Sequence, residues 1–202
     1  EFMEDALAAS DAAVIDCSEK VELLSAQGHE GHHHDTQYDP HFWMTEEAAA
    51  VMLGSIAQGL SAVDPAHAED YTQHMQAAVD LLPGGRLDGA ELSCPYLITF
   101  HDGFQYFALD NGLTLLKSIE EEEGSEASAA EIREITALVK EYGIPAIFTE
   151  KNGSDATARA IARETGAAVY ELDMIMSGEG EGIQAYIDAM NDNISTVKEA
   201  LG

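Results

Sequence analysis

The sequence predicts an α/β fold built on a parallel sheet. From residue 94 to the end of the chain, short apolar runs alternate with segments of helical periodicity. Of the 202 residues, 46% are hydrophobic, which is enough to build a packed core. Strands and helices in alternation are typical of right-handed crossovers in a parallel sheet covered by helices. We therefore predict that residues 94–202 form one C-terminal α/β lobe with flanking helices.

The first part of the chain has weaker strand signals. An apolar run at 12–16 predicts one short buried strand. Thr45 can cap a helix whose first turn carries two glutamates, and a second helix is predicted from about 65 to 82, where Pro-Gly-Gly stops it. We assign residues 1–64 to the remainder of an N-terminal α/β lobe and residues 65–93 to linker helices between the lobes.

The elements of the C-terminal lobe follow one another with clear boundaries. Strands are predicted at 96–100, 113–119, 146–149 and 168–172. Helices are predicted at 104–108, 128–143, 155–165 and 182–201. Ser128 and Glu131 form a capping box, and Gly143 and Gly166 follow two of the helices as C-terminal stops.

The charge of the chain excludes several classes of partner. The sequence has 38 acidic and 9 basic residues, a formal net charge of −29. Such a surface repels phosphate backbones and anionic lipid head groups, so we expect no binding to nucleic acid. Most of these carboxylates are expected to form a solvated surface.

Two features bear on the compartment. The N-terminal residues lack the basic region and apolar stretch of a signal peptide, so any export leader is expected to lie outside this chain. The two cysteines, Cys17 and Cys94, belong to no metal-binding or redox motif and could be paired or free.

Three side chains able to bind a metal come directly after predicted strands: His101, Glu150 and Asp173. Ligands of open parallel sheets bind beyond the carboxyl ends of the strands. Taken singly, His101 or Asp173 could cap the following helix, and Glu150 could be a solvated loop carboxylate. Together, at the ends of three of the four predicted strands, they favour a binding site.

His41 is a fourth candidate ligand. Pro40 fixes the backbone before it, and the single tryptophan of the chain, Trp43, follows two residues later. These neighbours predict a well-held imidazole. A core histidine that donates to a backbone carbonyl fits the same residues.

A histidine-rich segment lies at residues 28–38, with the sequence GHEGHHHDTQY. It has no periodicity and predicts a loop. His29, His32, His33 and His34 would suit weak, exchangeable capture of a metal such as zinc. An exposed polar loop that binds no metal at physiological concentration fits the segment equally well.

In combination these motifs resemble the zinc- and manganese-specific solute-binding proteins of bacterial ABC importers. The resemblance depends on DPHFW at 39–43, TFHDGFQYF at 99–107, FTEKNGSDATARAIARETGAAVYELD at 148–173 and the terminal helix that ends in DNISTVKEALG. A histidine-rich loop ahead of the DPHFW segment is a feature of the zinc-specific branch.

The resemblance implies a ligand set and a metal. Family members have two α/β lobes, joined by a long helix, with the metal in the cleft between them. His41 of the first lobe and His101 and Asp173 of the second would be the ligands, with Glu150 orienting a ligand imidazole. Histidine at position 101 implies zinc rather than manganese, because imidazole suits zinc and carboxylates suit manganese.

The resemblance also implies a function. We expect an extracytoplasmic protein, periplasmic or lipid-anchored at the cell surface, that captures zinc and delivers it to an ABC permease without catalysis. The family's first lobe supplies another histidine from a segment that would precede Glu1, so most of that lobe is expected to be missing here. The remainder could form a homodimer through its uncovered edges.

Three alternatives stay open. One is a manganese-binding homologue linked to surface adhesion. Another is a zinc-dependent hydrolase, in which three protein ligands leave a position for water and Glu150 acts as general base. In the third, the loop at 29–34 is the sole metal-binding feature.

Overall fold

The computed structural model describes residues 7, 10–26, 38–82, 84–120, 127–151, 153–177 and 182–202. The chain divides into two compact units. One comprises residues 1–22 and 46–82, and the other comprises residues 23–45 and 83–202. The DPHFW segment thus belongs to the same unit as residues 94–202. The assignment of residues 1–64, 65–93 and 94–202 to lobes and linker stays a prediction.

The first unit is built on two helices that pack against each other, α1 (Glu46–Val63) and α2 (Ala68–Val79). A 3₁₀ turn at Pro65–His67 separates them, so the predicted second helix begins with this turn. The Asp64 carboxylate accepts a hydrogen bond from Tyr71 Oη at 2.9 Å and stabilises the turn.

The predicted strand at 12–16 is wrong. These residues are irregular, and the Asp16 carboxylate accepts hydrogen bonds from the N–H and O–H of Ser18 at 2.8 and 2.6 Å, which turns the chain. The described residues of this unit include no strand with which the backbone could pair. Ile15 packs instead over Gly59 of α1, where a Cβ atom would overlap it.

The second unit contains the predicted parallel sheet. Its strands are β1 (Tyr96–His101), β2 (Thr114–Glu120), β3 (Ala146–Glu150) and β4 (Ala168–Leu172). All pairs are parallel, and the spatial order is β2-β1-β3-β4. The predicted α/β class and all four strands of this part are therefore confirmed.

Four helices flank the strands: α3 (Gln105–Asp110), α4 (Ala129–Tyr142), α5 (Ala156–Thr165) and α6 (Gln184–Leu201). The capping box of Ser128 and Glu131 is present, as predicted. Gly143 and Gly166 end α4 and α5 in the left-handed conformation, with φ of 63° and 82°. The core between helices and sheet includes Leu97, Ile98, Phe107, Ile135, Ile147, Phe148, Ile161 and Leu201.

The topology decides where ligand-binding side chains emerge. Thr99 of β1 is in register with Phe148 of β3, and Glu150 with Leu172 of β4. Because the strands are parallel, their carboxyl ends meet at one edge of the sheet. No helix in the described part of the chain is long and apolar enough to cross a membrane.

Candidate metal centre

Asp39 holds the imidazole of His41. The Asp39 side chain is 5% exposed, and its Oδ1 accepts a hydrogen bond from the backbone N–H of His41 at 2.9 Å. The same oxygen lies 2.8 Å from His41 Nδ1. An ionised carboxylate can only accept, so Nδ1 carries the hydrogen and Nε2 is the nitrogen that can coordinate a metal. The predicted alternative, donation to a backbone carbonyl, is replaced by donation to this carboxylate.

Tyr106 of α3 fixes the backbone at the start of this segment. Its hydroxyl donates to the carbonyl of Asp39 at 3.0 Å and accepts from the N–H of Leu24 at 2.8 Å. Burial raises the pKa of Tyr106 above its ordinary value, so the phenol stays a donor.

Trp43 ties the same segment to the residues after β4. Its indole N–H donates to the carbonyl of Met174 at 2.9 Å. Tyr186 of α6 donates in turn to the carbonyl of Trp43, also at 2.9 Å. The backbone that carries His41 is therefore held at both ends by buried or half-buried side chains.

His101 ends β1 and faces His41. The two ring centroids are 5.5 Å apart, with an angle of 89° between the ring planes. His101 Nδ1 lies 3.6 Å from Oε2 of Glu150, which ends the neighbouring strand β3. Gly103 leaves room beside this ring, because a Cβ atom there would overlap Met174 and lie 3.2 Å from His101 Cδ2.

Asp102 adds a third carboxyl group close to the two imidazoles. Burial, and then the negative charge of Asp39, raise the pKa of Asp102 above its ordinary value. Its Oδ1 accepts from the Ser118 hydroxyl at 3.3 Å. The carboxyl groups of Asp39, Asp102 and Glu150 thus surround His41 and His101, and the ionised form of Asp102 is disfavoured there.

Asp173 follows β4 and is held by four interactions. Its N–H donates to Oδ1 of Asn193 at 2.8 Å, and Asn193 Nδ2 donates to its carbonyl at 2.7 Å. Its Oδ1 accepts from the N–H of Ile175 at 2.7 Å, and its Oδ2 lies 3.1 Å from Lys151 Nζ. Ile175 has a φ of 57°, a left-handed conformation that is strained for a β-branched residue.

The structure rules out one reading of the strand-end residues. The N-cap of α3 is Phe104 and that of α6 is Ile183, so neither His101 nor Asp173 caps the next helix.

The predicted ligands are brought together in part. His41 and His101 are in contact and Glu150 lies beside them. Among the residues that the structure describes, no three His, Cys, Asp or Glu side chains form a set arranged to hold a metal ion. Asp173 lies at the same edge of the sheet, directly after β4. The predicted loop ligands His29, His32, His33 and His34 lie outside the described residues.

Several contacts of the site were not predicted from the sequence. The role of Asp39 could have been predicted from the sequence, because a carboxylate two residues before a histidine can reach its ring. Asp102 is adjacent to His101, but nothing in the sequence indicates that it is buried. Asn193 reads as one more polar residue of α6, and only the fold brings it to Asp173. The two cysteines, Cys17 and Cys94, are free.

The chain is similar to known metal-binding proteins. Residues 1–200 match the family described as ZnuA, zinc-uptake complex component A periplasmic. The zinc-binding lipoprotein AdcA of Streptococcus pneumoniae is 30% identical over 201 residues, which cover 95% of this chain and 39% of that protein. The iron-binding protein YfeA of Yersinia pestis is 30% identical over 175 residues, which cover 81% of this chain and 55% of that protein.

A solved structure shares the fold. The solute-binding protein FpvC of Pseudomonas aeruginosa, in complex with Mn²⁺, superimposes with a TM-score of 0.80 at 25% identity. The match covers 100% of this chain and 75% of that one. The chain thus spans about 39% and 55% of the length of the two curated relatives above.

Proposed function

Because this chain belongs to the ZnuA family of periplasmic zinc-uptake components, we propose that it binds zinc outside the cytoplasm and delivers it to an ABC importer. The observation that carries the proposal is the pair of imidazoles, His41 and His101, which meet at the carboxyl edge of the sheet. In each, Nδ1 lies near a carboxylate oxygen. Histidines that bind metals commonly have this arrangement, with Nε2 as the coordinating atom.

The electrostatics of the site favour a cation. Asp39 Oδ2 is buried and has no hydrogen-bond partner among the described residues. A buried carboxylate oxygen in that state is costly unless a positive charge lies near it. The raised pKa of Asp102 has the same origin, since burial and the charge of Asp39 both disfavour its ionised form. A divalent ion on the histidine pair would offset both carboxylates.

We propose Asp173 as the third protein ligand. Its carboxylate would join His41 and His101, giving zinc two imidazoles and one carboxylate of the four ligands that it prefers. The fourth ligand would come from water or from another donor.

The proposed metal is zinc. The names of the relatives differ, since AdcA is called zinc-binding, YfeA is called iron-binding, and the FpvC structure contains Mn²⁺. Two imidazoles and one carboxylate suit zinc better than manganese. Replacing His101 by glutamate should therefore move the preference toward manganese, so the ratio of the zinc and manganese dissociation constants should change by about tenfold or more.

Trp43 provides the assay for zinc binding. It is the single tryptophan of the chain, and its ring centroid lies 5.4 Å from that of His41. Zinc titrated into chelator-treated protein should change the indole emission with one saturable phase. His41→Ala should abolish that phase, whereas His74→Ala, which changes an exposed histidine of α2, should leave it intact. An unchanged titration of His41→Ala would contradict the proposal.

The proposal includes no catalysis. Glu150, the candidate general base of a hydrolase, has its Oε2 3.6 Å from His101 Nδ1, a position that suits an orienting role. Zinc-loaded protein should therefore hydrolyse simple esters and phosphate esters no faster than free zinc does. Hydrolysis that depends on Glu150 would favour the hydrolase instead.

A further inference from the structure

We infer that Lys151 competes with zinc for the carboxylate of Asp173 and so weakens zinc binding and speeds its release. The inference rests on the proposed function above. Its starting point is the distance of 3.1 Å between Lys151 Nζ and Asp173 Oδ2.

The two oxygens of Asp173 have different surroundings. Oδ1 accepts the N–H of Ile175 at 2.7 Å, a bond that also stabilises the strained backbone there. Oδ2 is the oxygen turned to the ammonium group. A metal that uses Asp173 without breaking the Ile175 bond would therefore take Oδ2, the same atom that Lys151 contacts.

The backbone keeps Lys151 in this position. Its N–H donates to the carbonyl of Leu172 at 2.9 Å and so continues the pairing of β3 with β4 by one residue. Asp173 is held just as firmly, because Asn193 bonds both its N–H and its carbonyl. The ion pair thus joins two fixed backbone positions, and the long Lys151 side chain is its movable part.

The Lys151 side chain can leave at low cost. It is 61% exposed, so its ammonium can move from Asp173 into water. An exposed ion pair changes an equilibrium by no more than about fivefold, because water and salt screen it. Repulsion between the ammonium and a zinc ion a few ångströms away adds to this competition. Together, the ion pair and the repulsion should weaken zinc binding several-fold.

The acidic cleft around Lys151 indicates how its competition with zinc would help the metal to leave. Asp173 and Lys151 line a surface cleft of about 780 Å³ together with the carboxylates of Glu150, Glu171, Asp188 and Asp192. Lys151 is the single basic side chain among the described residues that line it. A cleft so rich in carboxylates attracts cations strongly. An ammonium that replaces zinc on Asp173 keeps the carboxylate neutralised while the metal leaves, so release should be faster.

The test compares charge removal at Lys151 with the same change elsewhere. Lys151→Gln removes the ammonium, Lys151→Arg keeps a cation, and Lys140→Gln removes an exposed charge in the last turn of α4, which leads to the opposite edge of the sheet. Zinc affinity and the rate of transfer to a chelator are followed by Trp43 emission at low and high salt. Urea unfolding confirms that all variants are folded.

We expect Lys151→Gln to bind zinc about 3 to 10 times more tightly and to release it more slowly by a similar factor. The difference should shrink at high salt, and Lys140→Gln and Lys151→Arg should stay within about twofold of the parent chain. Unchanged or weaker binding by Lys151→Gln overturns the inference. If His101→Ala abolishes zinc binding in that case, the proposed function stands, whereas if His101→Ala binds like the parent, both fail.

Discussion

The rings of His41 and His101 stand at 89° to each other, with their centroids 5.5 Å apart. They come from different parts of the second unit, the DPHFW segment and the end of β1. A carboxylate lies near Nδ1 of each ring, Asp39 at 2.8 Å and Glu150 at 3.6 Å. Asp39 is within hydrogen-bonding distance and sets the tautomer of His41, so Nε2 of that ring can coordinate a metal, whereas the contact of Glu150 with His101 is longer than a hydrogen bond.

Removing Asp39 should weaken zinc binding without removing a ligand. In Asp39→Ala, His41 loses the carboxylate that sets its tautomer, and we expect the zinc affinity to fall by about 10- to 100-fold. Asp39→Asn keeps an oxygen that can accept from His41 Nδ1, so its loss of zinc affinity should be smaller. Titration of both variants by Trp43 emission measures the difference. An Asp39→Ala variant with the affinity of the parent would show that Asp39 does not position the ligand.

Much of the fold could be predicted because its signals are local. The capping box at Ser128 and the glycines at 143 and 166 mark helix ends by their own chemistry, and the structure confirms all three. The strand predicted at 12–16 is absent, because a strand needs a pairing partner from elsewhere in the chain. Ile15 packs against a helix at Gly59 and not within a sheet, whereas Val14 is exposed. Periodicity alone does not distinguish these two surroundings.

The site was predictable to the extent that topology determines it. Parallel strands bring His101, Glu150 and Asp173 to one edge, and the strand boundaries were readable from the sequence. Contacts between side chains were not predictable in this way. Lys151 faces Asp173 only because β3 and β4 end side by side, and Asn193 reaches Asp173 from a helix that follows later in the chain.

At position 175 a glycine variant should be more stable than an alanine variant, which is the reverse of the usual order. Its φ of 57° costs an L-residue about 1–2 kcal/mol, whereas glycine adopts this conformation freely. Glycine also loses about 0.5–1 kcal/mol relative to alanine through its greater freedom when unfolded. Ile175→Gly should therefore unfold with a free energy about 0.5–1 kcal/mol higher than Ile175→Ala. Urea unfolding measures this difference, and a more stable alanine variant would show that the strain is absent in solution.

Asp102 should make the stability of the protein depend on pH. Burial and the charge of Asp39 raise its pKa above the ordinary value of 3.8, which applies to the unfolded chain. The folded state therefore binds the proton more tightly, and this contribution to stability is complete below about pH 3.8 and is lost as pH rises through the raised pKa. Asp102→Asn does not ionise and can still accept from Ser118.

The Asp102→Asn variant should thus be more stable than the parent at neutral pH. The gap should narrow as the pH falls and should close below about pH 3.8, where Asp102 becomes protonated in the unfolded chain as well. Urea unfolding in the presence of a chelator, at neutral and acidic pH, measures the gap. A constant difference between the two proteins at all pH values would contradict the raised pKa.

The metal site at the histidine pair is tested most directly by a calorimetric titration of zinc into three proteins: the parent chain, His101→Ala, and a variant that lacks residues 29–34. We expect one tight site in the parent, a loss of affinity of about 100-fold or more in His101→Ala, and an unchanged tight site in the deletion variant. If His101→Ala binds zinc like the parent and only the deletion removes binding, the histidine pair at the sheet edge is not the metal site.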